Sequence, residues 1–349
     1  MNTEHRERIR DWQKMGMYVL SFLRRKLVHV NLQILYSCNC RCTICDFWRD
    51  DRAHEPPMNI DAIQTVARKL SYLGPQIISI GGGEPTLHRD LVRIVEILSG
   101  DHFPVMITNG WYMTPELARA LFSAGIYEVS VSLDYADADK HDRQRGRPGA
   151  FDRAVSALRI LQENRVNPYQ RVHMISVVMG DNLNEIENLI LLARDLGVTY
   201  LATLYSSKRG DQSFGSANFD LSRHLLNLKE KYPEFVSLQG YLEKFTQVNA
   251  EGSIAPCYAG VNLMNIDCQG NVTTCIDHLE NPAGNILIDN IDDIRQSLLA
   301  RQRASTCARC WTSCRGSIET MMYGGSRMSN LRDYYRMTRA LPVSDGRSR

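Results

Sequence analysis

The sequence predicts an α/β fold: a parallel sheet of six strands wrapped by helices, followed by a small cysteine-rich appendage. Two observations carry this. From residue 31 to about 205, strand-like and helix-like segments alternate six times, and repeated βα units build parallel sheets because each crossover helix covers one face. After residue 206 the rhythm stops, and six of the ten cysteines follow.

Composition narrows the class. Charged residues at 23% and apolar residues at 44% describe an ordinary globular chain. A net charge of +2 gives no electrostatic case for a nucleic-acid partner. The longest apolar run near the start, Met17 to Leu23, is too short for a secretory signal or for the roughly 20 residues of a membrane span. Ten cysteines in such a chain read as metal ligands in a reducing compartment more readily than as disulfides. Cytoplasm is therefore the expected location.

Residues 1–30 hold seven Lys/Arg and three acidic residues, with Trp12, Met15, Tyr18, Val19, Phe22 and Leu23 at helical intervals. A helix laid against the barrel is the reading preferred. The alternative is a basic amphipathic helix touching a membrane surface through residues 5–29, which would suit a lipid-precursor substrate. Strand candidates are 32–36, 76–80, 103–108, 127–133, 171–178 and 199–204. Between them lie five amphipathic helices. One carries Ile60, Ile63, Val66, Ala67 and Leu70; the next Leu91, Ile94, Val95 and Leu98. A third opens with Thr114 as N-cap and Pro115 at its first position. The fourth places Phe151, Val155, Leu158 and Leu161 on one face, and the fifth Ile186, Leu189, Ile190, Ala193 and Leu196.

Directly after the first strand come Cys38, Cys42 and Cys45, with three and then two residues between them. Thiolates are preferred ligands of iron–sulfur clusters and of zinc. Three on one loop can hold three corners of a cubane and leave its fourth iron open, as a catalytic site requires. Gly81-Gly-Gly-Glu-Pro-Thr86 occupies the loop after the second strand, where glycines let backbone approach a ligand and a carboxylate can bind an ammonium. Both loops fall at the carboxyl ends of strands, where α/β folds keep their chemistry.

Together these motifs resemble the radical S-adenosylmethionine (radical SAM) superfamily. The alternation alone leaves an open doubly wound sheet and a curled one equally open. The resemblance implies a six-stranded partial TIM-type (β/α)6 barrel. It also implies a [4Fe–4S] cluster on Cys38, Cys42 and Cys45 that binds S-adenosylmethionine, with Gly82 and Gly83 against the methionine part and Glu84 accepting from its amino group. Asn109, in Thr108-Asn-Gly110, and Ser132 and Asp134, in Ser130-Val-Ser-Leu-Asp134, resemble cosubstrate-binding segments, the latter two near the ribose. Turn-capping is their alternative role. Arg145-Gly146, placed on a long loop before the fourth helix, is similar to the family's RG pair and could meet a carboxylate. Ile44 departs from the aromatic residue that many members carry before the third cysteine.

The second cysteine set is Cys257, Cys275, Cys307, Cys310 and Cys314, with Gly270-Asn271 turning a hairpin between 263–266 and 272–275. On residues alone, structural zinc and iron–sulfur are equally open. The spacing of Cys257, Gly270 and Cys275 resembles the SPASM/twitch extension of radical SAM enzymes. That implies one auxiliary [4Fe–4S] cluster on Cys257, Cys275 and two of the last three cysteines, Cys307 and Cys310 ahead of Cys314. Cys40 and Cys268 are then spare buried thiols. Asp277 and His278 are candidate substrate bases, with a solvated turn as the alternative.

The expected organisation is an N-terminal helix at 1–30, a barrel at 31–205, helices at 221–231 and 234–247 within a linker at 206–254, an auxiliary-cluster segment at 255–318 and a tail at 319–349. The tail places Tyr334, Tyr335 and Met337 on one helical face. The resemblance implies cleavage of S-adenosylmethionine to a 5′-deoxyadenosyl radical, hydrogen abstraction and a net oxidation, fed by a one-electron reductant such as flavodoxin or ferredoxin. Epimerisation, carbon–carbon bond formation and peptide maturation are alternatives, as is a non-catalytic zinc-stabilised module. Small-molecule, lipid-precursor and peptide substrates are all open. The thirty residues before the first strand, too few for a leader-binding domain, favour the first two.

Overall fold

A computed structural model describes residues 3–206, 219–252, 254–308, 310–324, 329, 330, 332, 333 and 335, with residues 3–10 as backbone. Tyr334, Met337 and most of the polar loop expected at 206–218 lie outside the described residues.

Six strands follow in order: β1 His29–Leu35, β2 Ile77–Gly82, β3 Phe103–Thr108, β4 Glu128–Ser132, β5 Arg171–Val178 and β6 Thr199–Leu204. All are parallel, and each pairs with the next. Helices α1 Thr3–Leu23, α2 Ile60–Ser71, α3 Leu91–Ser99, α4 Pro115–Ser123, α5 Ala138–Arg145, α6 Ala150–Glu163 and α7 Ile186–Asp195 accompany them. The sheet is not closed, since β6 ends it on one side. This is the partial barrel expected from the sequence.

The sheet also runs on past β1. Strands β7 Leu263–Ile266, β8 Asn271–Thr273 and β9 Gly284–Asn285 continue it in the order β6-β5-β4-β3-β2-β1-β7-β8-β9. β7 lies parallel to β1, with His29 opposite Leu263 and Asn31 opposite Asn265. β7 and β8 form the expected hairpin, turned at Gly270 with φ +87°. The C-terminal cysteine segment is thereby hydrogen-bonded to the strand that carries the first cysteine loop. Helices named after β6 among the described residues are α8 Leu221–Lys231, α9 Gln239–Leu242, α10 Phe245–Glu251, α11 Ile291–Ala304 and α12 Ser313–Tyr323. The single helix expected at 234–247 is thus two short ones, set around the fully buried Tyr241 and Phe245.

Side chains alternate across a strand, and the alternation here separates two interiors. Val30, Leu32 and Ile34 of β1, Ile78 and Ile80 of β2, and Val129 and Val131 of β4 enter the apolar core beneath the helices. His29, Asn31 and Gln33 of β1, and Glu128 and Ser130 of β4, occupy the opposite, barrel-facing side. α1 splits its apolar residues. Tyr18 packs on Phe103 with ring centroids 5.6 Å apart, and Lys14 donates to the Ser99 carbonyl. Trp12 and Leu23 stay 77% and 72% exposed.

Candidate metal centres and cosubstrate site

β1 ends at Leu35, and the chain turns into the first cysteine loop. The β2 loop is pressed onto that turn: Gly83 N donates to the Leu35 carbonyl at 2.9 Å and Glu84 N to the Ser37 carbonyl at 3.0 Å. A Cβ on Gly82 would stand 1.8 Å from Leu35 O, and one on Gly83 2.0 Å from Ser37 O. These glycines are therefore required first by the contact between two backbones, whatever else they approach.

Cys38, Cys40, Cys42 and Cys45 cluster with Ile44, Tyr135, Met179 and Tyr205, apart from the main core. The aliphatic Ile44 is thus buried among the thiols. Cys40 N donates to Cys38 Sγ at 3.4 Å. Hydrogen bonds from the Cys40 thiol hold Cys38 below the usual thiol range, and hold Cys42 down to about 6 with help from the Arg145 charge. The same bonds push Cys40 upward, so it keeps its proton. The loop therefore separates one protonated donor from two thiols inclined to ionise, the form in which a thiol ligates iron.

Glu84 is 1% exposed. Its Oε1 accepts from Thr86 N at 3.1 Å and from the hydroxyls of Thr86 and Thr108, each at 2.6 Å; its Oε2 accepts from Asn109 N at 2.8 Å. A carboxylate offers about four lone-pair positions, so Oε2 retains capacity for one more donor. Asn109 in turn donates from Nδ2 to Asn39 Oδ1 at 2.7 Å and to Cys40 Sγ at 3.5 Å. Glu84 and Asn109 together tie the loops after β2 and β3 to the cysteine loop.

Asp134 is fully buried, and both oxygens serve the protein itself. Oδ2 accepts from Arg145 Nη2 at 2.5 Å and Gln144 Nε2 at 2.9 Å, and Oδ1 from Val177 N at 2.7 Å. The carboxylate that Arg145 meets is this one. Arg145 also reaches Cys42 Sγ at 3.9 Å from Nη1. It sits in the last turn of α5, a helix where the sequence suggested only loop, with Gly146 in the left-handed conformation as its C-cap. Ser132, the last residue of β4, is half-buried on the barrel-facing side.

The second cysteine set converges. Cys257, Cys275, Cys307, Cys310 and Cys314 line one cavity of about 280 Å³, together with Asn31, Thr273, Asp277, His278 and Arg315. Cys268 lies outside it. Among the described residues, no three His, Cys, Asp or Glu side chains close on a point as a single ion requires. The thiols ring a common void, as the ligands of a polynuclear cluster do. Burial pushes the Cys257 thiol up to about 12 and Cys275 upward as well, so ionisation there calls for a cationic occupant. Asp277 and His278 are cavity residues: Ser206 Oγ donates to Asp277 Oδ2 at 3.4 Å, and His278 Nε2 lies 3.3 Å from Cys307 Sγ.

The radical SAM superfamily profile matches residues 32–193. Over 306 residues the chain is 31% identical to the mycofactocin maturase MftC of Mycolicibacterium smegmatis, a match spanning 81% of this chain and 76% of that one. The chain belongs to the radical SAM superfamily. A further relative, the AdoMet-dependent heme synthase of Methanosarcina barkeri, is 30% identical over 196 residues, and the chain spans 55% of its length. Streptococcus suis SuiB bound to its precursor peptide SuiA shares the fold, with a TM-score of 0.63 at 14% identity, covering 80% of this chain and 68% of SuiB.

As a radical SAM enzyme the chain uses a [4Fe–4S] cluster and S-adenosylmethionine, which the thiol-lined loop fits; the thiol-ringed cavity offers the donor set of an auxiliary iron–sulfur cluster. The sequence reading missed Arg315. It is buried and donates to the carbonyls of Cys310 at 2.6 Å, Ile254 at 2.6 Å and Pro256 at 2.9 Å while paired with Glu319 at 3.0 Å. It staples the segment before Cys257 to the C-x2-C knuckle. The Arg315/Glu319 spacing is an ordinary helical pair, so the sequence carried no signal of this.

Proposed function

We propose that this radical SAM enzyme abstracts hydrogen from a peptide substrate and completes a net two-electron oxidation with the help of one auxiliary [4Fe–4S] cluster. Cys38, Cys42 and Cys45 hold the first cluster, and Cys257, Cys275 and two of Cys307, Cys310 and Cys314 the second. When bound, the first cluster and S-adenosylmethionine supply a 5′-deoxyadenosyl radical. Glu84 Oε2 accepts from the cosubstrate ammonium, and the backbone of Gly82 and Gly83 lies against its methionine part. Asn109 and Ser132 border the same end of the barrel. Asp134 acts through Arg145, holding the guanidinium against the Cys42 sulfur. Asp277 or His278 takes the proton that an oxidation releases.

The observation that carries this reading is the five-cysteine cavity reaching Asn31 on β1, the strand whose carboxyl end bears the first cysteine loop. An electron acceptor there stands beside the barrel interior. The peptide substrate rests on the maturase relative, against the small molecule that the short N-terminal segment suggested. A membrane-surface contact is carried by the exposed face of α1. α1 packs at Phe103, the amino end of β3, and at Ser99, the end of α3 that precedes it, so such a contact would not feed lipid to the cysteine-loop end.

Anaerobically purified protein with Cys38, Cys42 and Cys45 replaced by Ala tests the assignment. It is expected to lose cleavage of S-adenosylmethionine while retaining the iron and acid-labile sulfide of the second cluster. Cleavage at the parent rate refutes the reading, and zinc without sulfide in the parent favours a zinc-stabilised module. One S-adenosylmethionine consumed per oxidised product supports net oxidation; an unchanged product mass points to epimerisation.

A further inference from the structure

The first cysteine loop shows solvent a continuous surface of arginine and tryptophan. Cys42 is buried, but its chain neighbours Arg41 and Thr43 are both exposed, so this thiol lies one residue from solvent along the chain. Backbone bonds join the stretch to the end of α5: Arg41 N donates to the Arg145 carbonyl at 3.0 Å and Thr43 N to the Gln144 carbonyl at 2.9 Å. Two half-buried tryptophans anchor the surface. Trp48 donates from Nε1 to the Cys42 carbonyl at 3.2 Å, and Arg41 and Arg49 lie over its ring at 5.9 and 4.5 Å. Arg147 lies over the Trp111 ring at 3.7 Å and donates to the Asn39 carbonyl at 2.6 Å, with Arg153 5.5 Å from the same ring. Arg41, Arg49 and Arg153 are exposed.

Residues 39–49 and 142–153 hold six arginines and three aspartates. The Arg145 charge is spent on buried Asp134, which leaves an excess of two, equal to the net charge of the whole chain. A guanidinium laid on an aromatic face keeps its edge N–H groups free for carboxylates, and tryptophan and arginine dominate surfaces where proteins dock. Reductive cleavage of S-adenosylmethionine takes one electron at the first cluster, so a donor has to stand close to that cluster without entering the barrel. We propose that Arg41, Trp48, Arg49, Trp111, Arg147 and Arg153 form the docking face for an acidic one-electron carrier protein of the flavodoxin kind. One electron leaves the carrier, which is oxidised, and enters the first cluster, which is reduced; no bond in this chain is made or broken. The inference rests on Cys38, Cys42 and Cys45 holding that cluster, and the identity of the substrate does not enter.

The test uses anaerobic holoenzyme and an acidic flavodoxin as the probe. Calorimetric titration with oxidised flavodoxin at low salt is expected to show binding that weakens as salt is added. Arg41→Glu combined with Arg153→Glu should raise Kd by about tenfold and flatten the salt dependence. Arg119→Glu combined with Arg194→Glu alters the net charge equally, but on α4 and in the last turn of α7, and should leave Kd within about twofold. Reduction by flavodoxin, followed by stopped flow, should slow only in the first variant. Dithionite, a small reductant, should support cleavage of S-adenosylmethionine at the parent rate in both, which shows that they are folded and loaded. Should the charge reversal cost iron, Arg41→Gln combined with Arg153→Gln gives the same comparison, with Kd raised about threefold. No binding by the parent, an unchanged Kd in the Arg41 and Arg153 variants, or an equal rise in the control overturns the docking face. So does a variant that binds flavodoxin as the parent does but loses affinity for a precursor peptide, since the face would then serve substrate. The cluster assignment fails separately: dithionite-supported cleavage that survives replacement of Cys38, Cys42 and Cys45 refutes it, whatever flavodoxin does.

Discussion

Arg145 and Asp134 meet at 2.5 Å in the interior, with side-chain exposures of 10% and 0%. A buried pair of this kind is costly to break and cheap to replace whole: removing one partner costs about 3–5 kcal/mol, while exchanging both for apolar groups is close to neutral. Arg145→Leu is therefore expected to lower the thermal midpoint more than the double change Arg145→Leu, Asp134→Leu does. The double variant should still assemble less of the first cluster, because the guanidinium beside Cys42 is gone in both. Thermal unfolding and iron content on the same samples decide it. A single variant as stable as the double one would mean the pair is not coupled.

Glu128 opens β4 on the barrel-facing side, 3.2 Å from His173 Nε2 and 3.7 Å from Arg171 Nη1. Burial acts to raise its carboxyl, but His173 and Arg171 outweigh it and pull it from 4.5 down to about 2. A folded-state value below the unfolded one stabilises the protein above the unfolded value, and the benefit is lost as pH falls towards the folded one. Acid should therefore erode stability between about pH 4.5 and 2 through this group. Glu128→Gln should be less stable at neutral pH and should converge on the parent near pH 2. Urea midpoints across that range test this; parallel curves for the two proteins would remove Glu128 from the account.

The contact between the β2 loop and the cysteine loop predicts an effect at a residue that ligates nothing. A methyl on Gly83 would be driven to 2.0 Å from Ser37 O and 2.5 Å from Tyr36 O, and neither backbone oxygen can move without displacing the start of the cysteine loop. Gly83→Ala should fold, since the main core lies elsewhere, but should incorporate markedly less iron at the first site. Iron and sulfide per chain, alongside far-ultraviolet circular dichroism, measure this. Parent-level iron would show that the loop tolerates the shift.

The six parallel strands were legible because each carries an apolar face towards the helices, and the helices between them repeat every three to four residues. α5 escaped notice for a physical reason. Its sequence, Ala138-Asp-Lys-His-Asp-Arg-Gln-Arg145, has no apolar stripe, and what it buries is polar: His141, Gln144 and Arg145. Its caps were nevertheless written in the chain, Asp137 accepting from Lys140 N at the start and Gly146 at φ +60° at the end. That the cysteines after β1 gather on one loop was readable from their closeness in sequence; which three of the four serve as ligands came only from the resemblance. That Asn31 reaches the cavity of Cys257 and Cys314 was not readable, because it depends on β7 docking along β1 from more than two hundred residues away. Local pattern holds no record of such a pairing.

α1 supplies the last prediction. A helix turns about 100° per residue, so Trp12, Val19 and Leu23 share one face while Tyr18 and Phe22 share another. Tyr18 packs on Phe103, whereas Trp12, Val19 and Leu23 are 77%, 45% and 72% exposed. Arg24, Arg25 and Lys26 follow at the Leu23 end. Exposed tryptophan and leucine beside a basic cluster suit a bilayer surface bearing anionic lipid. The protein is expected to co-sediment with phosphatidylserine vesicles and much less with phosphatidylcholine ones. Binding should weaken with added salt, and by about tenfold when Trp12 and Leu23 are both changed to Ser. Because Trp12 and Leu23 are 77% and 72% exposed, the double change should leave the thermal midpoint within a few degrees of the parent. Binding that is indifferent to lipid charge, or unchanged in the double variant, would leave this face without a membrane role.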